Sequence, residues 1–240
     1  MKNIANTLKV AEGLEGYRDI LDSISMKLGR ELNELELLIY SAMWAERISY
    51  KTSYQWVKSL PTEGDRVIVG AGVANSGAVD IGNDLCCVFK MGSHNHPSGI
   101  DPYEGAATCV GDVIRDVASL GAKPIISLNS FRFGNQDLDS TQWLMDEVKK
   151  GVYDYSSLQY VKNINSEIRF NSCFNCNPLV NILVAGIVHK DHLISKRDIP
   201  VGSAVFIVGS LTGNDGVTVD EKTGSIAKSN PDLSSSMIKA

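Results

Sequence analysis

Two of the chain's four histidines fall in one stretch, "KMGSHNHPSGIDPYEGAAT", residues 90–108. Lys90 closes an apolar run, where packing has no use for a cation. Ser93, His94, Asn95 and His96 then offer donors and acceptors in a row, and a helix start follows. The first turn of a helix has free backbone N–H groups, and its dipole favours anions. A lysine, a polar turn and a helix start together suit a phosphate-bearing ligand. Imidazoles titrate near neutrality, so His94 and His96 are candidates for general acid or base. Further on, Asp112 and Asp116 lie four apart on one helix face with Arg115 beside them. A carboxylate there can hold Mg²⁺, and a guanidinium can fork onto a phosphate. The plainer alternative is a polar turn before a helix and a solvated Asp/Arg pair.

The elements that must position these groups are legible from periodicity and punctuation. "LEGYRDILDSISMKLG" places Leu14, Tyr17, Ile20, Leu21 and Ile24 at helical spacing, and a second helix is predicted from about Glu34 to Arg47. "RVIVG", "GAVDIG" and "DLCCVFKM" read as strands joined by turns. Asp101 is placed to cap a helix, Pro102 suits its first position, and Glu104 completes a capping box; Gly121 ends it. "KPIISLNSFRF" reads as a strand. "DSTQWLMDEVKKGVYDYSSLQYV" reads as a helix with a break at Gly151. "SEIRF", "PLVNILVAGIV" and "SAVFIVGS" read as further strands. This mixed order predicts an α+β fold with antiparallel strands. Expected domains are a helical segment over 1–60, an α+β domain over 61–190, and over 191–240 the start of a second domain with a polar tail.

Bulk properties narrow the function. The 240 residues are 43% hydrophobic, which supports a sizeable core. A net charge of −5 without a Lys/Arg cluster argues against nucleic acid as partner. No apolar run reaches the roughly 18 residues of a membrane span, and no signal peptide is apparent. Five cysteines without a disulfide framework suggest reduced thiols and a cytoplasmic protein. Cys173 and Cys176 followed by His189 and His192 approach a zinc-finger spacing. The apolar strand between them, and a histidine interval one residue too short, argue against zinc.

The order of motifs resembles one family, the large synthetase component of phosphoribosylformylglycinamidine synthase. "LGRELNELELLIYSAMWAERISYK" is similar to the family's opening, which ends in S-E-H-C-S-Y, and "NSGAVDIG" to its N-A-G-V-V turn. "FKMGSHNHPSGIDPYEGAATCVGDVIRDVASLGAKPI" resembles F-K-x-E-S-H-N-H-P-S-x-x-x-P-Y-x-G-A-A-T-G-V-G-G-I-I-R-D. "NPLVNILVAGIV" and "LTGNDG" resemble N-P-L-V-N and T-G-R-D-G. The likeness runs in unbroken order from about Leu28 to Gly216.

The resemblance implies that ATP phosphorylates the amide oxygen of formylglycinamide ribonucleotide. Ammonia from a glutaminase partner then displaces phosphate to give the amidine. It implies ATP contacts at Tyr50 and Lys90, and substrate contacts at Ser93, His94, Asn95, His96 and Arg115. His94 falls at the proton acceptor and Asp116 at a Mg²⁺ ligand. It also implies a β-rich domain that pairs into a barrel, as a homodimer or by docking with a missing C-terminal half.

Several departures fall on these positions. The family's S-E-H-C is Ala45-Glu46-Arg47-Ile48, and a metal-binding glutamate is replaced by Gly92. Cys109 and Asp112 replace two glycines, and G-G-E reads Asn165-Ser166-Glu167. Asp112 either repels a nucleotide's phosphates or substitutes as a metal ligand. The family's later substrate-binding glutamine, metal-binding aspartate and glycine-rich loop have no counterpart here. The alternative expectation is therefore a catalytically inactive, truncated paralogue acting as a binding or scaffold subunit.

Overall fold

The computed structural model describes residues 18–44, 49–175, 177–194, 199–207 and 209. The chain divides into two compact units, residues 1–61 and 62–240. In the first unit, α1 spans Arg18–Leu28, α2 Glu34–Trp44 and α3 Tyr54–Lys58. The entry to α2 is held by a reciprocal cap. Asn33 Oδ1 accepts from the Glu36 N–H at 2.9 Å, while Glu36 Oε2 accepts from the Asn33 N–H at 3.0 Å. Arg30 forks onto the same Glu36 carboxylate at 2.6 and 2.7 Å. On α2, Leu35, Ile39 and Met43 share a face as the spacing predicts, and all three are exposed.

The second unit is built on one six-stranded sheet. Its strands are β1 (Val67–Val69), β2 (Gly77–Gly82), β3 (Leu85–His94), β4 (Lys123–Phe133), β5 (Lys162–Phe170) and β6 (Leu179–His189). Their order across the sheet is β1-β2-β3-β6-β4-β5. Every pairing is antiparallel except β4 with β5. The fold is α+β with a mixed sheet, as the sequence suggests. Asn83 and Asp84 turn β2 into β3 with φ of 52° and 57°. Both residue types tolerate this left-handed conformation, so a two-residue hairpin forms without glycine at its centre.

Among the described residues this unit has three α-helices, α4 (His96–Ile100), α5 (Pro102–Ala118) and α6 (Asp139–Leu158). Asp101 caps α5, its carboxylate accepting from the Glu104 N–H at 3.2 Å. The inner face of α5 carries Ala106, Val110, Val113, Ile114 and Val117, which pack with Val88, Val180, Ile182 and Val184 of the sheet in one buried cluster. Burying aliphatic groups of this size contributes on the order of 1.5–3 kcal/mol each, before the entropy of ordering them is subtracted.

Three expectations need correction. The strand before the histidines does not end at Met91: β3 continues to His94, because Met91–His94 pair with β6 residues Leu183–Val180. Gly151 does not break α6. It is buried, and a Cβ there would lie 2.3 Å from the Tyr103 carbonyl oxygen, so its smallness lets α6 pass close to the start of α5. No strand forms over residues 203–207, which are exposed and have no strand neighbour among the described residues; a strand needs a neighbour to take up its backbone hydrogen bonds. Residues 45–48, with Arg47, and 211–240, with most of the expected tail, lie outside the described residues. Among the described residues, no helix is long and apolar enough to cross a membrane.

Overpacking typically costs about 1–3 kcal/mol. Gly151→Ala is therefore expected to lower stability by about that amount. Urea unfolding followed by circular dichroism measures this, with Gly72→Ala, where a Cβ meets open space but φ is +78°, as a comparison for backbone strain alone.

Candidate functional site

Alternation along β3 decides which predicted groups meet. Cys86, Val88, Lys90, Gly92 and His94 face the helices, and Phe89, Met91 and Ser93 face the other way. α5 lies over the first set and brings Asp112, Arg115 and Asp116 beside Lys90 and His94.

Two linked clusters result. In the first, Lys90 Nζ lies 3.1 Å from Asp116 Oδ2 and donates to the Asn75 carbonyl at 2.7 Å. The Asn75 side-chain amide donates to Asp116 Oδ1 at 3.1 Å. In the second, Arg115 donates to Asp112 Oδ1, and Asp112 Oδ2 lies 3.9 Å from His94 Nε2. The other nitrogen of that imidazole, Nδ1, is 2.8 Å from the Gly105 carbonyl. A carbonyl only accepts, so this bond places the proton on Nδ1. In the neutral ring, Nε2 then keeps its lone pair and is the atom able to take a proton.

Gly105 serves twice. Its carbonyl orients His94, and a Cβ on it would lie 2.7 Å from the Ser98 backbone nitrogen, so only glycine allows α4 to pack this close. Gly92 is as tightly enclosed. A Cβ there would meet Val113 Cγ1 at 2.7 Å and Cys109 Sγ at 3.2 Å. Cys109 fills the space over Gly92. Burial, and to a smaller degree the nearby Asp112 charge, push its thiol up to about 12, which makes it a packing group rather than a nucleophile.

Ser93, Asn95 and His96 are placed elsewhere. Ser93 Oγ bonds Asn181 Oδ1 on the face of the sheet away from α5. There Asn181 donates to the Ser130 carbonyl at 3.1 Å, and Ser130 Oγ donates to Glu167 at 3.1 Å. Arg132 and Arg169 both bond Glu167. Asn95 binds the Asn177 and Pro178 carbonyls, and Asn177 returns a bond to Asn95 at 2.8 Å. His96 opens α4. Tyr50 lies in the first unit with φ of 50°. The sequence reading missed Asn75, Gly105 and Asn181. Each acts through a backbone carbonyl or an amide that becomes relevant only once distant segments are adjacent.

The present donors do not fit Mg²⁺. Asp116 has both oxygens engaged by Lys90 and Asn75, Gly92 has no side chain, and Asp112 is paired with Arg115. Among the described residues, no three His, Cys, Asp or Glu side chains converge as a metal cage. A cavity of about 860 Å³ between α6 and the β4–β5 edge, lined by Phe131, Val152 and Tyr153 among others, contains none of these groups.

The fold and site together define a class first. Residues 73–188 match the AIR synthase related protein, N-terminal domain. More particularly, the chain is 48% identical over 219 residues to the phosphoribosylformylglycinamidine synthase subunit PurL of Bartonella henselae, covering 90% of this chain and 29% of the relative. Thermotoga maritima PurL complexed with ATP superposes with a TM-score of 0.66 at 32% identity, over 91% of this chain and 34% of that one. The same protein complexed with FGAR gives 0.69 at 31% identity, over 91% and 36%. A T. maritima assembly described as PurLQS gives 0.67 at 31% identity, over 91% and 34%. The chain belongs to the PurL family and corresponds to its N-terminal region, spanning about a third of the length of these relatives.

Two outcomes follow. Gly92→Glu alone is expected to lower the thermal midpoint by several degrees, on the scale of about 1–3 kcal/mol for overpacking. Adding Cys109→Gly, which vacates the facing space, recovers part of that loss in a thermal melt. The second concerns Glu167, whose carboxyl is held down at about 2 by Arg169, then by Ser130 and Arg132. A depressed carboxylate stabilises the fold above its ordinary value of 4.5 and loses that contribution as pH falls toward about 2. The stability difference between wild type and Glu167→Gln should therefore be full at neutral pH and shrink between pH 4.5 and 2 in acid titrations.

Proposed function

We infer that the chain supplies substrate-handling residues for the ATP-dependent conversion of formylglycinamide ribonucleotide to its amidine. One observation carries this reading: His94, Arg115, Lys90 and Asp116, which match the family's site motif, are gathered along one side of the β3–α5 contact. The T. maritima complexes described with ATP and with FGAR support it.

Within this reading each group has a definable task. His94 accepts a proton at Nε2, since its Nδ1 proton is committed to Gly105. Arg115 holds an anionic part of the substrate, and Lys90, anchored by Asn75, provides a cation toward nucleotide phosphates. Asn75 positions Lys90 and Asp116 against each other. Ser93 and Asn95 are bonded to β6 and its approach, so they brace the turn around the substrate more than they line the His94 side. Tyr50 is assigned to ATP by family resemblance.

ATP is the cofactor this reading requires. Mg²⁺ finds no complete donor set among the described residues. Mg²⁺-dependent ATP binding by this chain alone is therefore weak. Ammonia is expected from a glutaminase partner, and the PurLQS assembly of the relative is consistent with association with other subunits. The face of the sheet away from α5 and α6 carries exposed Phe89, Met91, Leu128 and Ile187. Such a face fits a second copy of the chain, or a C-terminal half, packed against it.

Calorimetric titration with formylglycinamide ribonucleotide tests the reading. Binding weakened by roughly tenfold or more in Arg115→Ala and in His94→Ala is expected, the scale of one lost charge-assisted hydrogen bond. Binding that ignores both substitutions, or no binding at all, would remove this function and favour a scaffold role.

A further inference from the structure

We propose that Asp112 is a specificity-determining residue: its carboxylate fills the anion position between Arg115 and His94, and a phosphate-bearing ligand must displace it. This rests on the reading that Arg115 meets an anionic ligand, and it adds what that ligand must first undo.

The geometry shows what Asp112 holds. Arg115 bonds Asp112 one helical turn back, and the other carboxylate oxygen faces His94 Nε2 at 3.9 Å. The guanidinium consequently lies folded along its own helix. A Cβ on Gly111 would come within 2.8 Å of Tyr155 Oη and 3.0 Å of Arg115 Nη1, so the arginine and Tyr155 share the space over that glycine. An arginine drawn back this way is not extended toward a ligand.

Charge points the same way. Around the β3–α5 contact, Lys90 and Arg115 are cationic and Asp112 and Asp116 anionic. Each cation is matched, Lys90 by Asp116 and Arg115 by Asp112. A phosphate monoester approaching Arg115 meets a neutralised guanidinium and a carboxylate at its side. Like charges at such separations repel appreciably even near a protein surface. The clasp is reversible, because Asp112 and Arg115 are each about half exposed, with side-chain exposures of 50% and 44%. With both groups open to solvent on one side, a strong anion can exchange with the carboxylate, and a weak or singly charged one cannot compete. Specificity here comes from an internal competitor that raises the threshold for binding.

Asp112→Asn removes the charge and keeps the volume; Asp112→Glu keeps the charge. The probe is ribose 5-phosphate, titrated at low salt and followed by the Arg115 Nε–H resonance and by calorimetry. Asp112→Asn is expected to tighten binding by about tenfold, the scale of one moderately screened charge pair, and Asp112→Glu to leave it near wild type. In the Asp112→Asn background, Arg115→Ala should abolish the gain, and raising salt should shrink it. Unchanged or weakened binding in Asp112→Asn overturns the proposal, as does a gain that survives Arg115→Ala. The two readings separate cleanly. A gain toward ribose 5-phosphate without affinity for formylglycinamide ribonucleotide would sink the substrate assignment and leave the competitor role standing. Arg115-dependent affinity for that substrate with no gain in Asp112→Asn would do the reverse.

Discussion

The close contact between α5 and β3 is the constraint on which the site depends. It is made by small residues at chosen points. Gly92 admits Val113 and Cys109, and Gly105 admits α4, while Gly151 admits the start of α5 beside α6. With the backbones this near, polar groups at the margins of the contact fall within bonding distance of each other. Lys90 reaches Asp116, and His94 reaches both Gly105 and Asp112. Close packing transmits shape with little slack. A methyl group in the wrong place along this seam would therefore move several charged groups together.

The same seam explains why the departures at 92 and 109 belong together. A glutamate at 92 has no room beneath Val113 and Cys109, and a smaller residue at 109 would relieve the second of these contacts. The two positions exchange bulk across the contact. Asp112 adds a carboxylate one turn away on the helix, where it pairs with Arg115. The local electrostatics are thereby settled by paired side chains, each anion facing a cation.

Much of this was legible in the residues. The cap at Asp101, the strands and the mixed sheet follow from local rules of capping, periodicity and turn chemistry, and the motif order carried the family. Gly151 misled because glycine in a helical pattern signals a break when only local propensity is considered; its reason is a neighbour some fifty residues earlier in the chain, Tyr103. Residues 203–207 misled because their β-rich composition promises a strand only if a partner is available. Strand alternation was readable along β3, but not its result, that Ser93 and His94 work on opposite faces of one sheet. Asn75 gave no sign, since an amide in a turn is usually just turn chemistry.

Strand order carries a consequence for how the molecule is made. β6, the last of the described strands in chain order, lies in the middle of the sheet, between β3 and β4. Until Leu179–His189 has emerged, the hairpin of β2 and β3 and the crossover unit of β4, α6 and β5 have no shared hydrogen bonds. Each would present an open inner edge to solvent during synthesis. The insertion of Leu179–His189 closes both edges at once, so completion of this sheet waits on one segment that follows its other strands in the chain.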